Sequence, residues 1–327
     1  MRPIEILPTY AEEIKATSGI QVLEKNQEYM RYQIDGVDGS GTVEVYTLFP
    51  GIVLQFHSFQ CKTFFLGESK ELGNSLKINY CSGGRMETKM SDQLYLYMKP
   101  GILSLDTRKA QNTFHFPCGH YHGVEILIHM SAVEQENTEI WKLCNLDVKK
   151  IWGRFCGNQQ SYAICEDEKI RQLFVEIMAP PLEYPLDYLR VKIIELFLFL
   201  QNASLPEKNE LTSFMTVGQV AIAKEIMETI TADLSRHISI ESLAREYGLS
   251  PSSLKNYFEG VYGENISTYL RELRMSTAAK ALAETSSAVS EIAASVGYEN
   301  ASKFSAAFKK IYGDTPLEYR RLSHIGL

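Results

Sequence analysis

Apolar positions in the last third of the chain recur at helical spacing, and the same pattern occurs twice. Leu243, Ala244, Gly248, Leu249, Leu254, Phe258, Tyr262, Gly263, Tyr269 and Arg271 run in register with Ile292, Ala293, Gly297, Tyr298, Phe304, Phe308, Tyr312, Gly313, Tyr319 and Arg321. The offset is about fifty residues, a period that marks a duplicated supersecondary unit, and the second copy has one extra residue between Gly297 and Phe304. Each copy predicts helix, tight turn, helix. In the first, Ser239 caps a short helix with Ile240, Leu243, Ala244 and Tyr247 on one face, and Gly248 supplies the positive φ that ends it. Ser250 as cap and Pro251 at the first helical position open a second helix, which turns Leu254, Tyr257, Phe258 and Val261 inward.

What that second helix leaves outside is Ser252, Ser253, Lys255, Asn256 and Glu259. Two short helices joined by a three- to four-residue turn containing glycine are the signature of a helix-turn-helix, whose second helix enters the DNA major groove. A plain helical hairpin shares that outline, and the duplication is what favours the DNA reading. Between the copies, Ser267 to Thr285 is a continuous helical pattern with Leu270, Leu273, Ala278, Ala281 and Leu282 on its apolar face. At its predicted length of roughly 28 Å, it approaches the ~34 Å between major-groove faces one turn apart.

Upstream, to about residue 130, the period changes from helical to two, the spacing of half-buried strands. Thr42–Leu48, Ile52–Phe59, Leu76–Tyr80, Arg85–Met90, Gln93–Met98, Ile102–Leu105 and Val124–His129 are short runs broken by Gly, Pro, Asp and Asn. They predict an antiparallel sandwich or barrel, which encloses a space lined by one face of each strand. Tyr46, Gln55, His57, Tyr80, Arg85, Tyr95, His115 and His122 are candidate lining residues for an effector, and alternation alone leaves open which face is inward. The run Cys118-Gly119-His120-Tyr121-His122-Gly123-Val124-Glu125 has the donors of a metal site. Its carboxylate lies too close to the histidines and no second His motif follows, so no metal and no cofactor are expected. His120 and His122 share a strand face and could meet a ligand or sense pH.

Beyond the strands the pattern turns helical again. Cys165–Met178 carries Ile170, Phe174, Ile177 and Met178 at helical spacing, Pro180 and Pro181 break it, and Leu186–Gln201 follows. The end of that helix, Ile193 to Leu200, is apolar nearly all round and must be covered on every side. One side suits the strand domain and the other a second copy of the chain. Ala203–Met215 is polar and aperiodic, the character of a linker.

Length and composition set bounds without changing this picture. At 327 residues, 45% hydrophobic and 22% charged, the chain is an ordinary multidomain globular sequence. The net charge of −7 looks wrong for a DNA-binding protein, yet basic and acidic residues nearly balance from Thr216 onward. Lys255, Arg271, Arg274, Lys303, Lys309, Lys310, Arg320 and Arg321 lie on or beside the predicted recognition helices. Phosphate contacts need local cations, not a basic protein. Cys61, Cys81, Cys118, Cys144, Cys156 and Cys165 form no close pair and read as reduced structural thiols. No leader or membrane-length apolar run is evident, so a cytoplasmic location is expected. No phosphate loop, nucleophile elbow or paired carboxylate stands out, and enzymatic activity is not expected.

The C-terminal pattern resembles the DNA-binding domain of the AraC/XylS family of bacterial transcription regulators. The resemblance rests on Leu243-Ala244 with Gly248-Leu249-Ser250, Phe258 with Gly263, and Tyr269-Leu270 with Arg274-Met275 and Ala278. It continues through Glu291-Ile292-Ala293, Gly297-Tyr298, Phe304, Phe308-Lys309-Lys310, Gly313, Thr315-Pro316 and Tyr319-Arg320. It implies an α+β multidomain chain: a cupin-like jelly-roll ligand-sensing domain over 1–160, a helical dimerisation segment over 161–203, a linker over 204–216, and a double helix-turn-helix domain over 217–327. It further implies a sequence-specific activator, gated by a small-molecule effector, that binds double-stranded DNA as a homodimer and contacts RNA polymerase. Base contacts fall by resemblance on Ser252, Lys255 and Asn256 in the first unit and on Ser302, Lys303, Ser305 and Ala306 in the second, with Ser253, Arg271, Lys309 and Lys310 as further DNA-binding candidates. Two alternatives stay open: a metal-dependent cupin enzyme fused to a DNA-binding domain, and a regulator gated by a peptide or protein. Lys77–Met90 and Phe116–Ile128 faintly resemble the sensory domains of siderophore-responsive members, but a sugar, lipid or peptide effector fits as well.

Overall fold

The computed structural model describes residues 19–36, 38–65, 75–107, 113–136, 139–156, 162–165, 167–203 and 214–325. The chain divides into two compact units, Met1–Phe214 and Met215–Leu327. Most of the stretch read as a linker, 204–213, lies outside the described residues.

The first unit is built on strands β1 (Ile20–Lys25), β2 (Tyr29–Asp35), β3 (Ser40–Phe49), β4 (Ile52–Gln60), β5 (Thr63–Phe65), β6 (Ser75–Gly84), β7 (Met86–Ser91), β8 (Leu94–Met98), β9 (Ile102–Asp106), β10 (Thr113–His115) and β11 (Tyr121–His129). From β4 to β11 they fall into two sheets in the orders β4-β11-β6-β9 and β5-β10-β7-β8. That is the double Greek key of a jelly roll, the architecture implied by the family resemblance. The larger sheet continues past β4 through β3, β2 and β1, and past β9 to β12 (Tyr162–Cys165). The stretch 161–203, expected to be helical, instead opens with a strand paired to β9, Tyr162 opposite Leu105 and Cys165 opposite Ile102.

Period-two alternation gives the larger sheet two buried faces. Met30, Tyr32, Val43, Val45, Val53, Phe59 and Tyr121 turn into a core shared with Met86, Leu96, Met98 and Phe64 of the smaller sheet. Leu48, Ile52, Leu54, Ile78, Tyr80, Val124 and Ile126 turn the other way. There they meet helices α3 (Val148–Cys156), α4 (Glu168–Ile177) and α5 (Pro185–Asn202), which follow two shorter helices, α1 (Met130–Glu136) and α2 (Glu139–Leu143). Asp167 caps α4 by accepting from the Ile170 amide, and Ile170, Leu173, Phe174 and Ile177 form its buried stripe. Helix α5 buries Leu189, Ile193, Leu196, Phe197 and Leu200. Its ends are tied down by polar contacts: Arg190 Nε donates to Leu48 O at 2.8 Å, and Gln201 Oε1 accepts from the Asp147 amide at 2.8 Å.

At β13 (Phe214–Thr216) the chain passes into the second unit, which is all-helical: α6 (Val217–Ala232), α7 (Ile240–Glu246), α8 (Pro251–Tyr262), α9 (Ile266–Glu284), α10 (Val289–Ser295), α11 (Ala301–Tyr312) and α12 (Pro316–Ile325). Helix α6 starts at a capping box in which Thr216 accepts from the Gln219 amide and Gln219 answers to the Thr216 amide. The duplication read from sequence is a duplication in space. Rings of Phe258, Tyr262 and Tyr269 meet at centroid distances of 4.7, 5.7 and 5.5 Å, and those of Phe308, Tyr312 and Tyr319 at 4.6, 5.4 and 5.2 Å. Each aromatic triad fastens the second helix of its unit to the helix that follows.

Candidate functional site

In the first helix-turn-helix, Ser239 caps α7 through the Ser242 amide, Gly248 (φ 64°) makes the turn, and Ser250 caps α8 through the Ser253 amide. Leu254, Phe258, Val261 and Tyr262 are buried, and the opposite face of α8 exposes Ser252, Lys255, Asn256 and Glu259. Those four positions at i, i+3, i+4 and i+7 form one continuous stripe. Ser253 departs from the expected role. It is half-buried and its hydroxyl lies 2.9 Å from that of Ser250, so it completes the cap instead of facing outward.

The second unit repeats the plan with different surface chemistry. Gly297 (φ 81°) makes the turn, and Asn300 caps α11 by accepting from the amides of Ser302 and Lys303. Phe304 and Phe308 are buried while Ser302, Lys303, Ala306, Lys309 and Lys310 are exposed, with Ser305 half-buried at the edge. Ala306 stands where the first unit has Asn256, and Lys309 where it has Glu259. The first helix therefore presents hydrogen-bonding side chains and the second presents positive charge. Helix α9, capped by Asn265, runs 19 residues between the two units, roughly 28 Å of rigid spacer.

Of the eight cations read as surface groups, the structure withdraws two. Arg274 is 9% exposed and gives its guanidinium to the carbonyls of Leu234 and Arg236. Arg320 donates to the carbonyls of Leu282 and Ser287. Arg271, one turn before Arg274 on α9, is exposed, as is Arg321.

The eight effector candidates do not come together. Register sets the face of each, because directly paired residues share one side of the sheet. Gln55 lies opposite Val45 and His57 opposite Val43, so both point between the two sheets. Tyr46 and Tyr80 point the other way, into the helix-covered core, where Tyr80 stacks on Phe174 at 4.2 Å. His115 is exposed and lies 3.2 Å from the Thr63 hydroxyl, Tyr95 packs 6.5 Å from Tyr97, and the Arg85 side chain is buried at the β6–β7 corner. His122 sits beside Gly83 with its ring 6.1 Å from His120, and burial together with His120 lowers its pKa. Tyr46, Tyr80 and His122 thus face away from Gln55 and His57.

Two inter-sheet residues escaped the alternation argument as lining. Glu125 and Asn79 pair directly, and Glu125 also pairs with Gln55, so the three form a polar row across β4, β11 and β6. Asn79 accepts from the Tyr121 hydroxyl at 2.7 Å. His57 Nε2 lies 3.2 Å from Gln55 Oε1. His57 is half-buried, and burial depresses its pKa against the opposing pull of Glu125. The signal in the sequence was the run of polar residues inside otherwise apolar strands, Gln55 and His57 in β4 and Glu125 in β11. Among the described residues no group of three or more His, Cys, Asp or Glu side chains could hold a metal, and no helix is long and apolar enough to cross a membrane.

Residues 243–322 match the family described as "Helix-turn-helix domain". Over 107 residues the chain is 31% identical to the transcriptional regulator Rob of Salmonella typhimurium, covering 33% of this chain and 37% of that protein. It is 28% identical over 123 residues to the HTH-type transcriptional activator RhaR of Mannheimia succiniciproducens, covering 38% and 45%. The chain thus spans less than half the length of each of these curated relatives. Among solved structures it is similar to the C-terminal domain of the two-component response regulator yesN of Fusobacterium nucleatum, with 31% identity, 31% of this chain and 95% of that one covered, and a TM-score of 0.28. The C-terminal unit of this chain is an AraC-type helix-turn-helix domain.

Proposed function

We propose that the chain is a cytoplasmic transcription regulator that binds double-stranded DNA through both helix-turn-helix units and is gated by a small molecule held between the sheets of its jelly roll. The observation that carries the DNA part is the pair of exposed stripes on α8 and α11, each backed by the same aromatic triad. On α8, Asn256 suits adenine, Lys255 suits guanine, and Ser252 suits either. On α11, Ala306 replaces the amide of Asn256 with a methyl group, so direct readout is weaker there. Lys303, Lys309 and Lys310, with Arg271 on α9, supply phosphate contacts that hold position without reading sequence. The two units divide the work, one reading bases and the other gripping the backbone.

Gating is supported by the row Gln55, Glu125 and Asn79 with His57 beside it, two buried and two half-buried polar groups on a face otherwise lined by apolar side chains. Pockets of this make-up orient small ligands by a few polar contacts. A homodimer is supported by the apolar residues left exposed around α4 and α5, Val175, Leu182, Tyr184 and Val191. Activation through RNA polymerase is the role that best suits a chain similar to an activator such as RhaR.

The test is selection of binding sites from a randomised duplex library with the full-length protein, followed by affinities of variants. Asn256→Ala is expected to cost about 1–3 kcal/mol and to relax preference at one base pair, while Lys309→Ala weakens all sequences alike. Equal loss on selected and scrambled duplexes for Asn256→Ala would remove the base-contact assignment.

A further inference from the structure

Three segments distant in sequence meet at one arginine. Arg274 of α9, nearly buried, donates from Nε to Leu234 O at 2.9 Å and from a terminal nitrogen to Arg236 O at 3.0 Å. Both carbonyls belong to the loop between α6 and α7, the entry to the first helix-turn-helix. Against the same guanidinium lies the turn of the second unit. A Cβ on Gly297 would stand 2.9 Å from the guanidinium carbon and 2.8 Å from Leu234 O, so only glycine lets this turn come so close. From the loop, His237 Nε2 lies 3.1 Å from Gly297 O, within reach to donate to it. The corresponding turn glycine of the first unit, Gly248, has nothing within 4 Å of such a Cβ. The contact is therefore a property of one turn and not of the repeated motif.

Helix α9 fixes the separation of the two units, and its Met275, Ala278 and Leu282 pack into the core of the second one, but an exposed non-helical stretch, 285–288, connects it to α10, so the exact rotation also depends on what holds the second turn. Rotation matters on a duplex. Each base pair turns the groove by about 34° and advances it by about 3.4 Å. We propose that Arg274, with His237 and Gly297, is a latch that locks the second turn onto the loop of the first unit and so sets the spacing and rotational phase at which α8 and α11 meet DNA. Arg274 is a positioning residue and touches no base. Its fork-shaped guanidinium serves two carbonyls at once, and the single ammonium of a lysine cannot reproduce that geometry. The inference rests on both units contacting DNA.

Full-length protein selects duplexes from a random library, and one base pair is then inserted between the two selected elements. The wild-type protein is expected to lose about tenfold or more in affinity on insertion, a penalty comparable to a mismatched base pair. Arg274→Lys and His237→Ala are expected to bind the original duplex and to lose less than about threefold on insertion, because an unlocked second unit can follow the displaced groove. Should Arg274→Lys fail to fold, His237→Ala decides alone, since His237 is exposed and loses a single hydrogen bond. Variants that keep the full insertion penalty, whatever their melting temperature, would overturn the latch and leave Arg274 a stability residue only. Selection of a single element would also overturn it while leaving DNA binding intact. Absence of any enriched sequence would remove the DNA reading and the latch together.

Discussion

Gly297 and Gly313 both adopt a left-handed φ, 81° and 84°, but only Gly297 is hemmed in. A side chain at Gly313 meets nothing within 4 Å, so Gly313→Ala is expected to cost only the backbone strain, about 1–2 kcal/mol. Gly297→Val adds a collision with Leu234 O and the Arg274 guanidinium and is expected to cost at least twice that, read by denaturant unfolding of the two variants side by side. Equal costs would mean that the second turn is not packed as described. At this scale the sequence shows residue types clearly and their partners poorly. Arg271 and Arg274 are one helical turn apart and look alike in a charge count, yet one is exposed and the other is surrounded. The difference lies in which loop folds back over them, which no local spacing encodes. Tyr46 and Gln55 were indistinguishable for a similar reason: alternation separates two faces of a strand, and only the pairing partners say which face meets the second sheet.

Among elements, the recognition helices were legible because caps, turn glycines and buried stripes all agree locally. The short strand β12 was not, since its four residues carry too little pattern to outweigh the helical run that follows. Helices α1 to α3 fell between the two clear patterns for the same reason. The chemistry of α8 and α11 leads to a separation of effects. Replacing Lys309 and Lys310 together by alanine is expected to reduce the slope of log affinity against log salt by about two, while Asn256→Ala leaves the slope unchanged. A slope unaffected by the double lysine change would place the phosphate grip elsewhere. For α5, Val191 is 61% exposed on a helix that otherwise packs closely. Val191→Lys is expected to leave the fold intact and shift a dimer to monomer in sedimentation, and an unchanged sedimentation coefficient would move the dimer interface away from this helix.

For the whole molecule, the net charge of −7 does not argue against DNA binding, because basic and acidic residues nearly balance in the second unit and its cations cluster on α9, α11 and α12. The first unit carries its own pH dependence. Burial lowers the pKa of His57 and of His129 in the folded state below the usual 6.5. Below that value the unfolded chain takes up protons that the folded one refuses, so stability is full above about pH 6.5 and falls as pH drops through it. Melting of the protein is expected to come earlier at pH 5.5 than at pH 7.5, and less so in His57→Gln. The division into a β-rich unit and a duplicated helical unit was open to a reading of periodicity alone. The inner polar row was not, because it assembles from three strands far apart in sequence. The most direct measurement is binding of the full-length protein to the DNA upstream of its own gene, against a scrambled duplex, across a salt series. A protein that grips DNA with both units binds the upstream duplex specifically, weakens steeply with salt and keeps its preference over the scrambled control. Equal affinity for the two duplexes at every salt concentration would contradict it.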